Sequence, residues 1–295
     1  MWKKVNSCLA ASCLCNGGRS HCATVGLGIE SANIVGYQNQ GLTYDSLNWL
    51  CNPFKAVDGR LWTLADLIPS DDFSGSALQF VDGGGATKKF TLPNGDEVYG
   101  FFEYWREDEI DAGDLPSGTS AVTGWYLWGE DGKLYLMSDT QIPEGGCYAV
   151  TNTDGDDTTI GGAGQVDSED TEFPLVYDQL NWYGNCTPVD ITLADLIPSD
   201  DFSGSALQFV DGGGATKKFT LTNGDEVYGF FEYWREDEID AGDLPSGASA
   251  VTGWYLWGED GKLYLMNSTP ILAGEGFAVT NTDGDDTTIT VPSAL

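Results

Sequence analysis

The chain is poor in basic residues and in histidine. Its 295 residues include 13 lysines and arginines against 46 aspartates and glutamates, which gives a formal net charge of −33. Nucleic acids and anionic lipid surfaces are bound mainly through Lys and Arg, so this balance argues against both as partners. His21 is the single histidine, and the rest of the chain therefore cannot contain a catalytic triad or metal centre that needs one.

Long apolar segments are missing as well. The sequence has no stretch of about 20 apolar residues, so we expect no membrane-spanning helix. It is 41% hydrophobic and 12% aromatic, which is too high for a disordered acidic chain. Because a domain usually runs to roughly 100–150 residues, the chain is long enough for more than one core.

An internal repeat dominates the sequence. The segment 64–137 matches 193–266 at an offset of 129 residues, and two of these 74 positions differ. The similarity continues upstream at an offset of 133, where 44–49 corresponds to 177–182. Each unit is large enough to fold as a domain rather than as one turn of a solenoid.

The repeat sets the predicted domain organisation. We place repeat 1 at 34–163 and repeat 2 at 170–295, joined by a linker at 164–169 within a Gly-rich and acidic stretch, 161–172. Residues 1–33 begin with a basic Met-Trp-Lys-Lys and a short apolar segment, the outline of a secretory leader. A lipidated terminus and a disordered tail are the alternatives for this segment.

The seven cysteines do not form a pattern common to both repeats. Four of them lie in the first 22 residues, with spacings that fit no regular zinc finger. Cys51 and Cys147 align with Gly184 and Gly276, and Cys186 aligns with a proline. A disulfide shared by both repeats is therefore impossible, and the fold must be stable without one.

Strand signals outweigh helix signals in each repeat. The segments 98–105 and 124–128 are short, aromatic and bounded by turn-forming residues. Asn94-Gly95, Glu130-Asp131-Gly132 and Asp154-Gly155 each separate two such segments and predict hairpins. One helical turn is expected at 63–68, with Thr63 as its cap. We predict an all-β protein of two tandem, near-identical β-sandwich or jelly-roll-like domains.

The entry into repeat 1 carries a resemblance. Asn33-Ile-Val-Gly-Tyr-Gln38, the Thr-Leu-Ala-Asp-Leu turn at 63–67 and a closing Gly-Glu-Gly-Phe at 274–277 resemble uncharacterised secreted bacterial β-repeat proteins. The resemblance implies an exported, β-rich protein, secreted or held at the cell surface. It implies no catalytic residue.

The densest group of acids follows an aromatic strand. Alternation places Tyr99, Phe101, Glu103 and Trp105 on one face, so Glu103 is a carboxylate among aromatic rings. Glycoside hydrolysis needs such an acid and a second carboxylate about 5–10 Å away, for which Glu107, Asp108 and Glu109 are the candidates. Repeat 2 supplies Glu232 and Glu236. The alternative is that Glu103 pairs with a nearby Arg106 or Lys89 and the following acids are solvated.

The tryptophans suggest carbohydrate binding. Trp125 and Trp128 are three residues apart and therefore face opposite sides of a strand, so one of them can be exposed for stacking on a sugar. The alternative is that they belong to the core. The candidate stacking residues are Trp105, Trp125 and Trp128 with their equivalents Trp234, Trp254 and Trp257.

Acidic turns near the end of each repeat offer oxygen ligands. Asp154 and Asp156, with Asp283 and Asp285 in repeat 2, are the candidate ligands for Ca²⁺, although the spacing is not that of an EF-hand. A polar turn is the simpler account.

Three functions remain open. The first is binding to a polysaccharide or a cell-surface glycan, or a place in a cell-surface layer, and duplication favours it because two modules bind with avidity. The second is a glycoside hydrolase using the paired carboxylates. The third is a self-assembling structural protein that associates through its sheet edges.

Overall fold

A computed structural model describes residues 35–52, 54–56, 59–70, 77–82, 85–143, 145–153, 156–166, 169–199, 206–211, 214–282 and 285–293. The predicted leader-like segment, 1–33, lies outside these residues. In the part of the chain that is described, the protein is all-β with short 3-10 turns and no α-helix. The predicted fold class of two similar β halves is confirmed.

The same order of elements occurs in both repeats. Repeat 1 contains β1 (Val35–Leu42), β2 (Leu47–Cys51), β3 (Ile68–Pro69), β4 (Ala77–Phe80), β5 (Lys89–Thr91), β6 (Glu97–Tyr99), β7 (Phe101–Trp105), β8 (Gly124–Trp128), β9 (Leu134–Leu136), β10 (Cys147–Thr151) and β11 (Thr158–Gln165). Its 3-10 turns are Leu64–Asp66, Glu107–Glu109 and Ala112–Asp114.

Repeat 2 reproduces this series with two additional short strands, at 191–192 and 270–271, and one 3-10 turn fewer. Its strands are β12 (Thr171–Leu175), β13 (Leu180–Gly184), β14 (Ile191–Thr192), β15 (Ile197–Pro198), β16 (Ala206–Gln208), β17 (Lys218–Thr220), β18 (Glu226–Tyr228), β19 (Phe230–Trp234), β20 (Gly253–Trp257), β21 (Leu263–Leu265), β22 (Pro270–Ile271), β23 (Gly276–Thr280) and β24 (Thr287–Val291). Its 3-10 turns are Leu193–Asp195 and Glu236–Glu238.

Each repeat is built on a six-stranded and a three-stranded antiparallel sheet. In repeat 1 the strand orders are β2-β10-β4-β7-β8-β9 and β1-β11-β3. In repeat 2 they are β13-β23-β16-β19-β20-β21 and β12-β24-β15. Two-stranded ribbons, β5-β6 and β17-β18, extend each repeat, and β14 pairs with β22.

The core lies between the two sheets of each repeat. Side chains alternate along a strand, so one face of the six-stranded sheet can be apolar throughout. Leu78, Phe102 and Trp125 on that face join one buried cluster with Leu42 and Ile160 of the three-stranded sheet. Repeat 2 has the same cluster, which includes Leu207, Phe231, Trp254, Leu175 and Ile289. We call the opposite side of each six-stranded sheet its outer face.

Two of the three predicted hairpins are present. Asn94-Gly95 joins β5 to β6, with Gly95 at a φ of 94° that a side chain would strain. The turn at 130–132 joins β8 to β9. The third hairpin prediction is wrong, because β10 and β11 do not pair with each other: β10 lies between β2 and β4, whereas β11 lies between β1 and β3. The 152–157 connection therefore passes from one sheet to the other.

The glycine run expected to start a flexible linker belongs to a strand. Gly162 and Gly164 lie in β11, which pairs with β1 over eight residues. A Cβ on Gly162 would lie 2.5 Å from the Trp62 ring, and one on Gly164 would lie 2.5 Å from the Phe54 Cβ. Glycine is required here by close packing rather than by flexibility.

The predicted helical turn is a 3-10 turn at Leu64–Asp66 that begins after Thr63. The Asp66 carboxylate accepts hydrogen bonds from the Thr63 backbone N–H at 2.8 Å and from both terminal nitrogens of Arg60, at 2.6 and 2.7 Å. Burial by itself raises the pKa of Asp66, but these donors and the Arg60 charge outweigh it, and the pKa lies below its usual value.

A depressed pKa makes the contribution of Asp66 to stability dependent on pH. The ionised carboxylate stabilises the fold above the ordinary Asp pKa, and this stabilisation is lost as the pH falls through the depressed value. Arg60→Ala should therefore lower the urea midpoint at neutral pH, and the difference from wild type should shrink at acidic pH, below the ordinary Asp pKa. Arg60→Lys, which keeps the charge without the two-nitrogen contact, is the control. An Arg60→Ala effect of equal size at both pH values would contradict the assignment.

Candidate functional site: a carboxylate between two indoles

Strand register places the candidate acid on the outer face. β7 pairs with β8 so that Glu103 lies directly opposite Tyr126. Since alternate residues share a face, Phe101, Glu103 and Trp105 lie on the same side of the sheet as Tyr126 and Trp128. The strand is interrupted at position 100, so the fourth residue of the predicted face, Tyr99, belongs to the separate strand β6.

Glu103 binds two tryptophans through a single oxygen. Its Oε2 accepts a hydrogen bond from Trp105 Nε1 at 3.0 Å and another from Trp128 Nε1 at 2.9 Å. The first partner is two residues along the same strand, and the second is on the neighbouring strand. We call these three residues the Trp–Glu–Trp cluster. It brings together three of the residues that the sequence analysis selected.

Repeat 2 contains the same cluster with the same geometry. Glu232 Oε2 accepts from Trp234 Nε1 at 3.0 Å and from Trp257 Nε1 at 2.9 Å. The arrangement is therefore a property of the repeated sequence and not of one local environment.

The N–H bonds also orient the rings. Because an indole N–H lies in the plane of its ring, Trp105 and Trp128 present their edges to the carboxylate and keep their faces for other contacts. Trp128 is 39% exposed and Glu103 is partly buried. The second oxygen of Glu103, Oε1, is not used by either indole bond.

Trp125 and Trp254 are not available for stacking. Each side chain is fully buried, and Trp125 Nε1 donates to the Leu67 carbonyl at 3.3 Å while Trp254 Nε1 donates to that of Leu196 at 3.2 Å. Both belong to the cores, so their burial removes them from the candidate binding residues. Of the pair separated by three residues, Trp128 is the one that faces solvent.

Other apolar side chains extend the exposed surface around the cluster. Phe101, two residues before Glu103, is 48% exposed, and Leu136 on the neighbouring β9 is 44% exposed. Phe230 and Leu265 are their equivalents in repeat 2, at 48% and 41%. Sequence reasoning had placed Phe101 on this face but had not selected it; period-two alternation was the signal that identifies it.

Glu107, the second candidate carboxylate, makes contacts different from those of Glu103. Glu107 is exposed at the start of a 3-10 turn, and its backbone N–H donates to Thr123 Oγ1 at 3.1 Å. Its charge acts on Tyr126, whose pKa is raised chiefly by burial, against the effect of the Val122 hydrogen bond, and further by Glu107. Glu236 has the corresponding contacts in repeat 2.

The alternative prediction was that Glu103 pairs with Arg106 or Lys89, but both cations make other contacts. Arg106 instead approaches Glu109 at 3.7 Å, and Lys89 lies over the Tyr99 ring, 5.1 Å from its centre. The bonds to the two indoles take the place of the predicted salt bridge.

The acidic turns are held by protein groups. Buried Asn152 donates to the carbonyls of Leu42 at 3.1 Å and Asp156 at 2.8 Å, and the Asp157 carboxylate accepts the Tyr44 backbone N–H at 2.8 Å. Asp285 occupies the place of Asp156 in repeat 2. Asp154 and Asp283 lie outside the described residues. Within the part of the chain that is described, no cluster of three metal-binding side chains is found, and Ca²⁺ binding stays a prediction.

Two clefts are lined by residues of both repeats. The larger, of about 610 Å³, is lined by residues that include Trp49, Lys217 and Glu275, and the last two form a 2.6 Å ion pair. The smaller, of about 300 Å³, is lined by residues that include Trp182 and Lys88. These clefts are separate from the Trp–Glu–Trp clusters.

Comparison with known proteins adds no assignment. No protein-family model, curated protein or solved structure matches the chain.

Among the residues described here, no helix has the length and apolar character needed to cross a membrane.

Removing the shared carboxylate should release both indoles. Glu103→Ala leaves two indole N–H groups without their acceptor, so it should destabilise repeat 1 by on the order of 1–3 kcal/mol and shift tryptophan emission to longer wavelength. Glu103→Gln keeps an acceptor oxygen and should change both quantities less. Urea unfolding followed by fluorescence measures both, with the exposed Glu97→Ala of β6 as the matched control. Equal behaviour of Glu103→Ala and Glu97→Ala would show that the cluster contributes nothing to stability.

Proposed function

We propose that the chain is an acidic tandem β protein that binds a polysaccharide or a cell-surface glycan through its two Trp–Glu–Trp clusters, outside the cell or at its surface. The observation that carries the proposal is the half-exposed Trp128 held beside Glu103, repeated as Trp257 beside Glu232.

The exposed rings support a sugar ligand. The CH groups of a sugar ring stack on the apolar face of an aromatic side chain, and Trp offers the largest such face. Trp128 and Phe101 expose 39% and 48% of their surfaces on the same outer face. The hydrogen bond to Glu103 orients the Trp128 ring before any ligand arrives, which reduces the entropy lost on binding.

The carboxylate and the net charge narrow the class of glycan. Glu103 can accept hydrogen bonds from sugar hydroxyls beside the stacking rings. A chain with a formal charge of −33 repels polyanions at long range. Neutral polysaccharides are therefore favoured over sulfated or uronic acid-rich ones.

Duplication supports binding more than catalysis. Two equal sites on one chain raise the apparent affinity for a repeating polymer because the second contact is intramolecular. A hydrolase would need a second carboxylate placed across the scissile bond from Glu103. The described contacts of Glu107 are a hydrogen bond from its backbone N–H to Thr123 Oγ1 and an effect of its charge on Tyr126, and neither places its carboxylate across a scissile bond from Glu103.

The test is retardation of the full chain in gels that contain neutral polysaccharides such as xylan, mannan or mixed-linkage glucan, with co-sedimentation on insoluble cellulose and chitin. Wild type should bind at least one of them. Trp128→Ala/Trp257→Ala should abolish binding, and Trp128→Ala alone should weaken it by roughly tenfold or more through lost avidity.

The control is Tyr44→Ala/Tyr177→Ala, which removes two aromatic side chains that are each 45% exposed elsewhere on the surface. It should bind as wild type does. No binding to any polysaccharide, or equal binding by the tryptophan variant, would reject the proposal. Release of new reducing ends that is lost in Glu103→Gln/Glu232→Gln would replace binding with hydrolysis.

A further inference from the structure

The two repeats contact each other through equivalent residues. Trp49 and Trp182, which correspond at the offset of 133, stack with ring centres 4.2 Å apart and planes 13° apart. Two copies of one surface meet in this way when they are related by a two-fold axis, as in an isologous dimer. We call this contact, formed by β2 and β10 against β13 and β23, the junction.

A second set of contacts follows the same pseudo-symmetry. Gln40 of repeat 1 lies against Gly274 of repeat 2, and its Nε2 donates to the Gly274 carbonyl at 3.2 Å. The equivalent pair is Phe173 of repeat 2 and Gly145 of repeat 1, and a Cβ on Gly145 would collide with the Phe173 ring. Both glycines have positive φ, 75° and 61°.

The symmetry is broken at two positions of the junction, where a cysteine of repeat 1 meets a glycine of repeat 2. Cys51 faces Gly184 and Cys147 faces Gly276, although each pair occupies equivalent positions of the two repeats. A Cβ added to Gly184 would collide with the Cys51 Cβ, and one added to Gly276 would collide with the Cys147 Sγ. Each cysteine thus occupies the space that the opposite glycine leaves empty.

We propose that these two cysteine–glycine pairs are the specificity-determining residues of the junction, so that its surface on repeat 1 accepts repeat 2 of the chain and rejects a second copy of itself. Two repeat 1 surfaces would bring cysteine against cysteine at both positions, which overpacks the contact. Two repeat 2 surfaces would bring glycine against glycine and leave voids.

The state of the thiols agrees with this packing role. Cys51 is fully buried and Cys147 is 5% exposed, and both are free thiols. Burial raises the pKa of Cys147 and of Cys51, so both remain neutral. A neutral buried thiol packs as a small apolar group. The Cys51 backbone N–H also donates across the junction to the Gly274 carbonyl at 2.7 Å.

Gly276 gives the sharpest test, because the three atoms nearest to an added Cβ all belong to repeat 1: Cys147 Sγ, and backbone atoms of Trp49 and Leu50 at 3.3 and 3.4 Å. In the full chain kept under reductant, Gly276→Cys should lower the melting temperature by roughly 2–8 °C. The exchange variant Cys147→Gly/Gly276→Cys moves the cysteine side chain from repeat 1 to repeat 2. It should recover most of the lost melting temperature.

The readouts are thermal unfolding and the exciton-coupled circular dichroism of the stacked indoles, identified by its loss in Trp49→Phe. Gly276→Cys should lose this signal and the exchange variant should regain it. The matched control is Gly242→Cys, where an added Cβ meets nothing within 4 Å. A Gly276→Cys variant that behaves like this control overturns the proposal. So does an exchange variant no better than Gly276→Cys, including the case in which neither folds.

Discussion

Burial of one face of each six-stranded sheet is the constraint on which the rest of the structure depends. A strand that sends Trp125 into the core must send Tyr126 and Trp128 to the outer face, because successive side chains alternate. The same rule turns Phe102 inward and Glu103 outward. The core therefore fixes which aromatic residues remain available for a ligand, and it does so identically in both repeats.

The outer face serves different purposes along its width. At β2 and β10 it forms the junction, and at β7 and β8 it carries the Trp–Glu–Trp cluster. Between positions 106 and 123 the chain returns over it and buries Tyr126 against Ile110 and Leu115. The repeated sequence thus supplies both the junction between the repeats and the exposed Trp–Glu–Trp cluster, because the two lie at separate strands of the same sheet.

At the junction, two sequence differences between repeat 1 and repeat 2 have a physical reason. At positions 51/184 and 147/276, where a Cβ added to the glycine would collide with the opposite cysteine, the two equivalent residues cannot both carry a side chain without overpacking, nor both lack one without leaving a void. Cys51 opposite Gly184 satisfies this condition, as does Cys147 opposite Gly276. The lack of equivalence was visible in the alignment of the repeats, but at that level it showed no more than the absence of a shared disulfide.

Local signals predicted much of the fold. Period-two alternation, aromatic content and the Asn94-Gly95 turn were sufficient for all-β domains and for two hairpins. They failed at the connection 152–157 and at Gly162, where the outcome depends on β11 pairing with β1, more than a hundred residues earlier. A glycine needed for packing against Trp62 has the same appearance in sequence as one in a flexible linker.

The sequence by itself determined the class of fold, the duplication, and the face on which Glu103 and Trp105 lie, since these depend on composition and on neighbours along one strand. Tertiary structure alone decided that Trp128 shares the Glu103 oxygen and that Trp49 stacks on Trp182. Such contacts join separate strands or separate repeats. Strand register and domain packing set their distances, and these are properties of the whole folded chain rather than of any local segment.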